Sequence, residues 1–286
     1  MALLEFAAGD EAQFDFCLWQ YPARLTGPDR LRSVSILSNS FDAEQVGPRA
    51  QEIVLAIRRE MGDLRTVWGI KQAGKEIAWE LYFYDYARCQ RERSVPRLLR
   101  AIRPWVTCNV PSIESRPYFM FSVDLSRQLL CEGGALDAVQ MYIGNIGSTV
   151  SSGICYEISP DATRLKNFYF FFDARSEMQQ IQGKLLSSGF LDLESFNPQS
   201  VLRPELLDCE VIVVANKPDR DGVYFSRITL DQLVWFLTWM EYPDEQIEFL
   251  ESNRQRLDHM LYDVGFDYRM EYGQLKIVKS AYYGVF

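Results

Sequence analysis

The sequence predicts an α+β protein: about ten antiparallel strands that can close into a barrel, with helices outside. Three observations predict it. Strand-like runs come in pairs around turn clusters, helical runs separate the pairs, and this order repeats about five times along 286 residues. A doubly wound parallel sheet alternates single strands with helices instead. Closure would remove the sheet edges, and a barrel of that size has a lumen wide enough for a ligand.

The elements follow in chain order. Residues 1–40 show little periodicity and are broken by Pro22, Gly27 and Pro28. Residues 1–62 read as a helical or irregular lead-in to a barrel over 63–286, all in one domain. Residues 43–61 place Ile53, Val54, Ile57 and Met61 at helical spacing, which predicts an amphipathic helix. In "TVWGIKQAGKEIAWELYFYDY" (66–86) two strand-like runs flank KQAGK, the pattern of a hairpin. "SVPRLLRAI" (94–102) offers Ser94 as an N-cap and Pro96 early in a helix. "SRPYFMFSVDL" (115–125) is a strand, partnered either by "WVTCNV" (105–110) before it or by "AVQMYIGN" (138–145) after it. "SGICYEISPDATRLKNFYFFF" (152–172) is a hairpin around SPDA, and residues 175–190 form a helix ending near Gly189. "CEVIVVANKPDRDGVYFSRITL" (209–230) turns at NKPDRDG, and residues 231–240 and 244–261 are helices. The last hairpin, "VGFDYRMEYGQLKIVKSAYYGVF" (264–286), turns near Gly273.

Composition excludes several classes. A net charge of −9 argues against a nucleic-acid surface, which needs clustered Lys and Arg, but not against a small anion held by a few cations. Six cysteines (Cys17, Cys89, Cys108, Cys131, Cys155, Cys209) show no CxxC spacing. With no leader segment, they read as reduced thiols of a soluble cytoplasmic protein. No apolar run approaches the ~20 residues of a membrane helix. The single histidine, His259, reads as structural, which sets zinc and histidine-based triads aside. The motifs GxGxxG, GxxxxGKS/T, GxSxG and DDxxD are absent.

The second strand of each hairpin carries the candidate chemistry on one face. The first gives Glu80, Tyr82 and Tyr84, and the next Arg116, Tyr118 and Met120. The third gives Asn167, Tyr169 and Phe171, with Lys166 one step out of phase. The fourth gives Phe225, Arg227 and Thr229, and the last Lys279, Ala281 and Tyr283. If these faces point inward, the lumen holds Arg116, Arg227 and Lys279 among phenols, with Glu80 opposite. If they point outward, they form a solvated mixed surface, and the terminal strand is an edge blocked by its lysine. Burying three cations with one carboxylate costs several kcal/mol per ion unless a partner offsets it. The inward arrangement therefore implies an anion of about −2 to −3, such as a diphosphate. Aromatic faces suit the allylic carbocation that such a diphosphate leaves on ionising.

These stretches resemble, in order and at hairpin spacing over about residues 65–286, the soluble aromatic prenyltransferases whose repeated αββα units close a ten-stranded barrel (the ABBA or PT-barrel family). "AWELYFY" resembles that family's first inner strand, where an acidic residue faces the aromatic acceptor. "SRPYFMF" resembles its basic-x-tyrosine strand, and "CYEISPDATRLKNFYFFF" its third hairpin. "YFSRITL" supplies the basic residue of the fourth hairpin, and "KSAYY" resembles the last strand with its lysine and tyrosine. "VDLSRQL" and the terminal strand are also similar to the cyanobactin peptide prenyltransferases.

The resemblance implies a prenyltransferase that moves a dimethylallyl or longer group from an allylic diphosphate to an indole or phenol. Arg116, Lys166, Asn167, Arg227 and Lys279 would bind the diphosphate. Tyr82, Tyr118, Tyr169 and Tyr283 would shield the cation. Glu80 would accept a hydrogen bond from the acceptor, its alternative role being an ion pair with a neighbouring Arg or Lys. Magnesium-dependent members carry an aspartate where Tyr82 stands, so the resemblance implies no required cofactor and a magnesium ion that is not essential. Peptide side-chain prenylation and non-catalytic carriage of an apolar ligand are the rival readings. Nucleic acid and membrane insertion are not expected. The first sixty residues match nothing in the family, and the chain between the second and third hairpins leaves little room for the usual helices.

Overall fold

A computed structural model describes residues 3–86, 91–145 and 148–286. Ten strands close into one antiparallel barrel. We number them β1 (Thr66–Ala73), β2 (Glu76–Tyr84), β3 (Met120–Leu125), β4 (Val139–Gly144), β5 (Ser152–Ile158), β6 (Thr163–Asp173), β7 (Val211–Asn216), β8 (Asp221–Ile228), β9 (Tyr262–Glu271) and β10 (Gln274–Val285). Each pairs with its neighbour in sequence, and β10 closes on β1 with Tyr283 opposite Gly69. This is the α+β barrel predicted from the hairpin repeats, and it is consistent with the PT-barrel architecture.

The helices among the described residues are α1 (Val34–Ala43), α2 (Gly47–Met61), α3 (Val95–Ile102), α4 (Arg127–Glu132), α5 (Met178–Leu185), α6 (Leu230–Trp239), α7 (Asp244–Ser252) and α8 (Arg254–Leu257). Many barrel strands are buried on both faces, so apolar residues follow one another without polar alternation. Trp68 and Ile70 of β1, and Trp79, Leu81 and Phe83 of β2, point out into the core beneath the helices. Trp79 packs on Phe41 of α1 at 5.2 Å between centroids and donates its indole N–H to Ser40. A second apolar cluster lines the lumen, built from Val67, Tyr84, Met120, Tyr142, Tyr224 and Tyr283 with their neighbours.

Several sequence expectations are corrected. The helix expected over 43–61 begins at Gly47, with Pro48 in its first turn, and α1 precedes it as a separate helix. Buried Ser35, Ser38 and Ser40 interrupt the apolar period of α1, which hid it in a segment that looked irregular. Strand β3 pairs with residues 139–144, whereas residues 106–108 form a small parallel pair with 134–136 outside the barrel. No described helix lies between β4 and β6, and Leu165 and Phe168 on the outer face of β6 are exposed. The five described cysteines are free thiols, and Cys89 lies outside the described residues. Among the described residues, no helix is long and apolar enough to cross a membrane.

Candidate active site

The lumen contains a cavity of about 440 Å³. Its midsection is a closed ring of five tyrosines, one from each even-numbered strand: Tyr82, Tyr142, Tyr169, Tyr224 and Tyr283. Successive ring centroids lie 6.4, 6.2, 6.2, 6.4 and 6.0 Å apart around the circuit. Alternate strands supply one layer of a barrel interior because neighbouring strands are staggered. The odd-numbered strands make room with small residues. A Cβ at Gly69 would lie 2.9 Å from the Tyr283 ring, and one at Gly265 would clash with the Tyr224 ring at 2.1 Å.

Charged groups lie on one side of this ring. Glu80, two residues before Tyr82 on β2, accepts hydrogen bonds from Tyr82 (2.6 Å) and Ser122 and pairs with Lys71 of β1. Lys71 also reaches Asp124 at 2.5 Å. Across the lumen, Asp267 of β9 pairs with Lys217 at 2.5 Å and Arg220 at 3.2 Å. Lys217 also donates to the Tyr224 hydroxyl at 3.1 Å, and Asn167 donates to Tyr169 at 2.7 Å. Lys166 pairs with Glu157 at 3.1 Å. Lys279 faces the same cavity and makes no hydrogen bond or ion pair with any described residue.

The electrostatics follow from these contacts. Burial pulls the Glu80 carboxyl up, but Lys71 and Lys279 outweigh it and hold it at about 2. Burial likewise opposes ionisation of Asp267, and Lys217 and Lys279 keep it below its ordinary value. The Lys71 charge and burial together push Lys279 down to about 8, although Asp267 works against them. Burial pushes all five ring hydroxyls well above their ordinary value, so they stay neutral donors. Five cations (Lys71, Lys166, Lys217, Arg220, Lys279) meet four acids (Glu80, Asp124, Glu157, Asp267) in the cavity lining, an excess of one positive charge.

On the other side of the ring an N-terminal plug enters the barrel. Residues Gln13–Phe14 and Gln20–Tyr21 form a short ribbon, and Phe16 packs 5.8 Å from Tyr283. Asp15 accepts from the N–H groups of Cys17 (2.9 Å) and Trp19 (3.0 Å) and from Arg227 Nε (2.9 Å). Asp263 accepts from Phe16 N (2.8 Å), Ser226 Oγ (2.5 Å) and Arg227 N (3.1 Å). Burial and the nearby Asp15 push Asp263 up to about 8. His259 lies beside the plug, pushed down to about 4 by burial and Arg30, and is neutral.

Seven of the ten site residues expected from the sequence line the cavity: Glu80, Tyr82, Lys166, Asn167, Tyr169, Lys279 and Tyr283. Lys166 and Asn167 both reach it because the β5–β6 register shifts between Leu165 and Asn167. The other three are corrected. Arg116 is exposed before Pro117, outside the ladder, and its carbonyl accepts from Arg91. Tyr118 sits in the outer core, donating to Glu114 at 3.1 Å beneath the Arg91 guanidinium. Arg227 occupies a bulge in β8 with φ +64° and holds the plug through Asp15. The inward face of β8 carries Gly222, Tyr224 and Ser226, while Phe225 is in the outer core and Thr229 caps α6.

Sequence reasoning missed Lys71, Lys217 and Arg220, because KQAGK and NKPDRDG read as turns although β1 runs on to Ala73. It missed Tyr142 and Tyr224 as ring members. Their signal was present: each sits on an expected strand, and continuing the alternation from an inward glycine or glutamine would have found both. A scan against known protein families finds no match to this chain, and a search of curated proteins finds none either.

Proposed function

We propose that the chain is an aromatic prenyltransferase, moving a dimethylallyl or longer group from an allylic diphosphate to an electron-rich ring such as an indole or phenol. The observation that carries this reading is the tyrosine ring beside the lysine layer. For a regular ring with the observed spacings, the centre lies on the order of 5 Å from each centroid, inside the ~6 Å reach of a cation–π contact. A carbocation there is surrounded by five aromatic rings while its diphosphate leaves toward Lys279, Lys71 and Lys217.

The excess of one positive charge in the lining is smaller than the sequence alone suggested. The Asn167 amide and the ring hydroxyls other than Tyr82 and Tyr224, whose protons go to Glu80 and Asp267, supply further donors to the anion. Glu80, ionised, has lone pairs on Oε1 beside Ser122, which can accept a hydrogen bond from an indole N–H or phenol O–H and orient the acceptor. Tyr82 stands where magnesium-dependent relatives of this architecture carry an aspartate, so the reaction runs without a required metal. A carrier of neutral ligands would have no use for the unpartnered Lys279.

The test is direct. The protein is incubated with dimethylallyl diphosphate and a panel of indoles, phenols and tyrosine- or tryptophan-containing peptides, and products are read by mass spectrometry. One added five-carbon unit on an acceptor supports the reading, and the acceptor class separates small-molecule from peptide transfer. No product with any acceptor, together with no calorimetric binding of dimethylallyl thiodiphosphate, would overturn it.

A further inference from the structure

Four of the chain's seven lysines line this one cavity: Lys71, Lys166, Lys217 and Lys279. Three of them have carboxylates. Lys71 has Glu80 and Asp124, Lys166 has Glu157, and Lys217 has Asp267. Lys279 has none. Its opposite residue across the β9–β10 ladder is Asp267, whose two oxygens are taken up by Lys217 and Arg220. We propose that Lys279 is a nucleophilic amine that condenses in the lumen with an aldehyde or ketone bearing a carboxylate or phosphate.

The geometry supplies the three things such a site needs. The first is an amine that is free to attack. An ammonium tied to a carboxylate has no available lone pair, and Lys279 alone among the four escapes that tie. The groups facing it are Lys71 from β1, Glu80 from β2, Lys217 after β7 and Asp267 from β9. The two ammonium groups disfavour a third positive charge between them, which is one of the two established ways to activate a lysine nucleophile; desolvation is the other. Both act here, lowering the amine to about 8, so a useful fraction is free base at neutral pH.

The second need is an anchor for the ligand's anion, and Lys71, Lys217 and Arg220 provide it at the same end. The third is an apolar surface against which the body of the ligand packs beside the amine, and the tyrosine ring supplies it. In the step itself the amine nitrogen adds to the carbonyl carbon and a C=N bond forms. The carbonyl oxygen leaves as water with the two amine hydrogens, so no oxidant or reductant is needed. This inference concerns the same cavity but does not depend on prenyl transfer.

Pyridoxal 5′-phosphate, an aldehyde with a phosphate, is the probe. The whole protein is incubated with it at pH 8, reduced with borohydride to fix any imine, digested and mapped by mass spectrometry. The expected result is label on Lys279 at ten or more times the occupancy of Lys75, Lys184 or Lys276. Lys279→Arg, which keeps the charge, should lose that label and keep the fold by circular dichroism. Excess inorganic diphosphate should slow the labelling several-fold. Label spread evenly over the lysines, label unchanged in total in Lys279→Arg, or label confined to residues outside the cavity would each overturn the proposal. Binding of prenyl thiodiphosphate is measured alongside. Label at Lys279 without that binding removes the prenyl reading and leaves this one, and binding without label does the reverse.

Discussion

The two ends of the lumen solve the problem of buried charge in opposite ways. At the lysine end, Glu80 and Asp267 are both held ionised by cations in direct contact, and one lysine is left over. At the plug end, Asp263 accepts only neutral donors and sits near a second acid, so it is pushed toward its protonated form. One end is charged and unfinished, which suits a ligand. At the other, Asp15 and Asp263 are bonded by the chain's own groups, which suits a structural cap. The tyrosine ring divides them.

The largest way to break this arrangement is to remove the strand both ends share. Strand β10 carries Lys279 toward the charged end and Val285 toward the plug, and it bonds to β9 and β1 together. Deleting residues 274–286 exposes two sheet edges, so the protein should aggregate, read by size-exclusion chromatography, and lose its cooperative melt. A monomeric, cooperatively melting truncation would mean that the barrel does not need its closing strand.

Next come two substitutions that should separate the ends. Arg227→Ala leaves Asp15 without its cation in a buried site and should lower stability by about 2–3 kcal/mol in urea unfolding, with diphosphate affinity unchanged. Lys279→Ala should do the reverse. It should weaken diphosphate binding by about 2–3 kcal/mol in calorimetry, as for a lost charge-assisted hydrogen bond, without lowering stability. Equal effects of both changes on anion affinity would erase the distinction between a cap and a ligand site.

Arg227 also marks where sequence reading stopped. The hairpin repeat made the barrel legible, because turn clusters and two-residue alternation are local signals. On β2, β6 and β10 the inward face followed from the same alternation, which found Glu80, Tyr82, Asn167, Tyr169, Lys279 and Tyr283. On β8 the same alternation put Phe225, Arg227 and Thr229 on one face, but Arg227 sits on a bulge where alternation fails. Arg116 and Tyr118 precede the strand that was meant to carry them, cut short by Pro117. The plug was not legible, since Asp15 and Asp263 are 248 positions apart and only the folded chain brings them near.

A smaller effect tests the ring between the ends. Tyr283→Ala opens space beside Gly69 and Phe16 without touching either set of charges. Prenyl transfer should fall by on the order of tenfold, from the loss of about 1–2 kcal/mol of cation stabilisation, and preference should move toward longer donors or bulkier acceptors. Transfer by this variant and by the wild type should both survive EDTA. Complete loss in chelator, restored by magnesium alone, would show that the ring and lysines are not sufficient.

The finest distinction is the sign of the pH response. Asp263 ordinarily titrates near 3.8 and is raised to about 8 in the folded chain. Between those values the folded state holds a proton that the unfolded state has released, so stability falls as pH rises from about 4 to about 8. Lys279 ordinarily titrates near 10.5 and is lowered to about 8. Above 8 the unfolded state holds the extra proton, so stability rises from about 8 to about 10.5. The plug end and the lysine end therefore act in adjoining windows with opposite slopes, each at most ~1.4 kcal/mol per pH unit for one proton. Urea unfolding at a series of pH values measures both. Asp263→Asn should flatten the first window and leave the second, and Lys279→Gln should flatten the second and leave the first. Binding gives an independent reading of the same lysine. An anion beside Lys279 favours its charged form, so diphosphate binding above pH 8 should take up a proton, measured as a dependence of calorimetric heat on the buffer's ionisation enthalpy. Binding with no proton uptake at pH 8 to 9 would mean that the anion does not sit against Lys279, and the unfinished charge at that end would need another ligand.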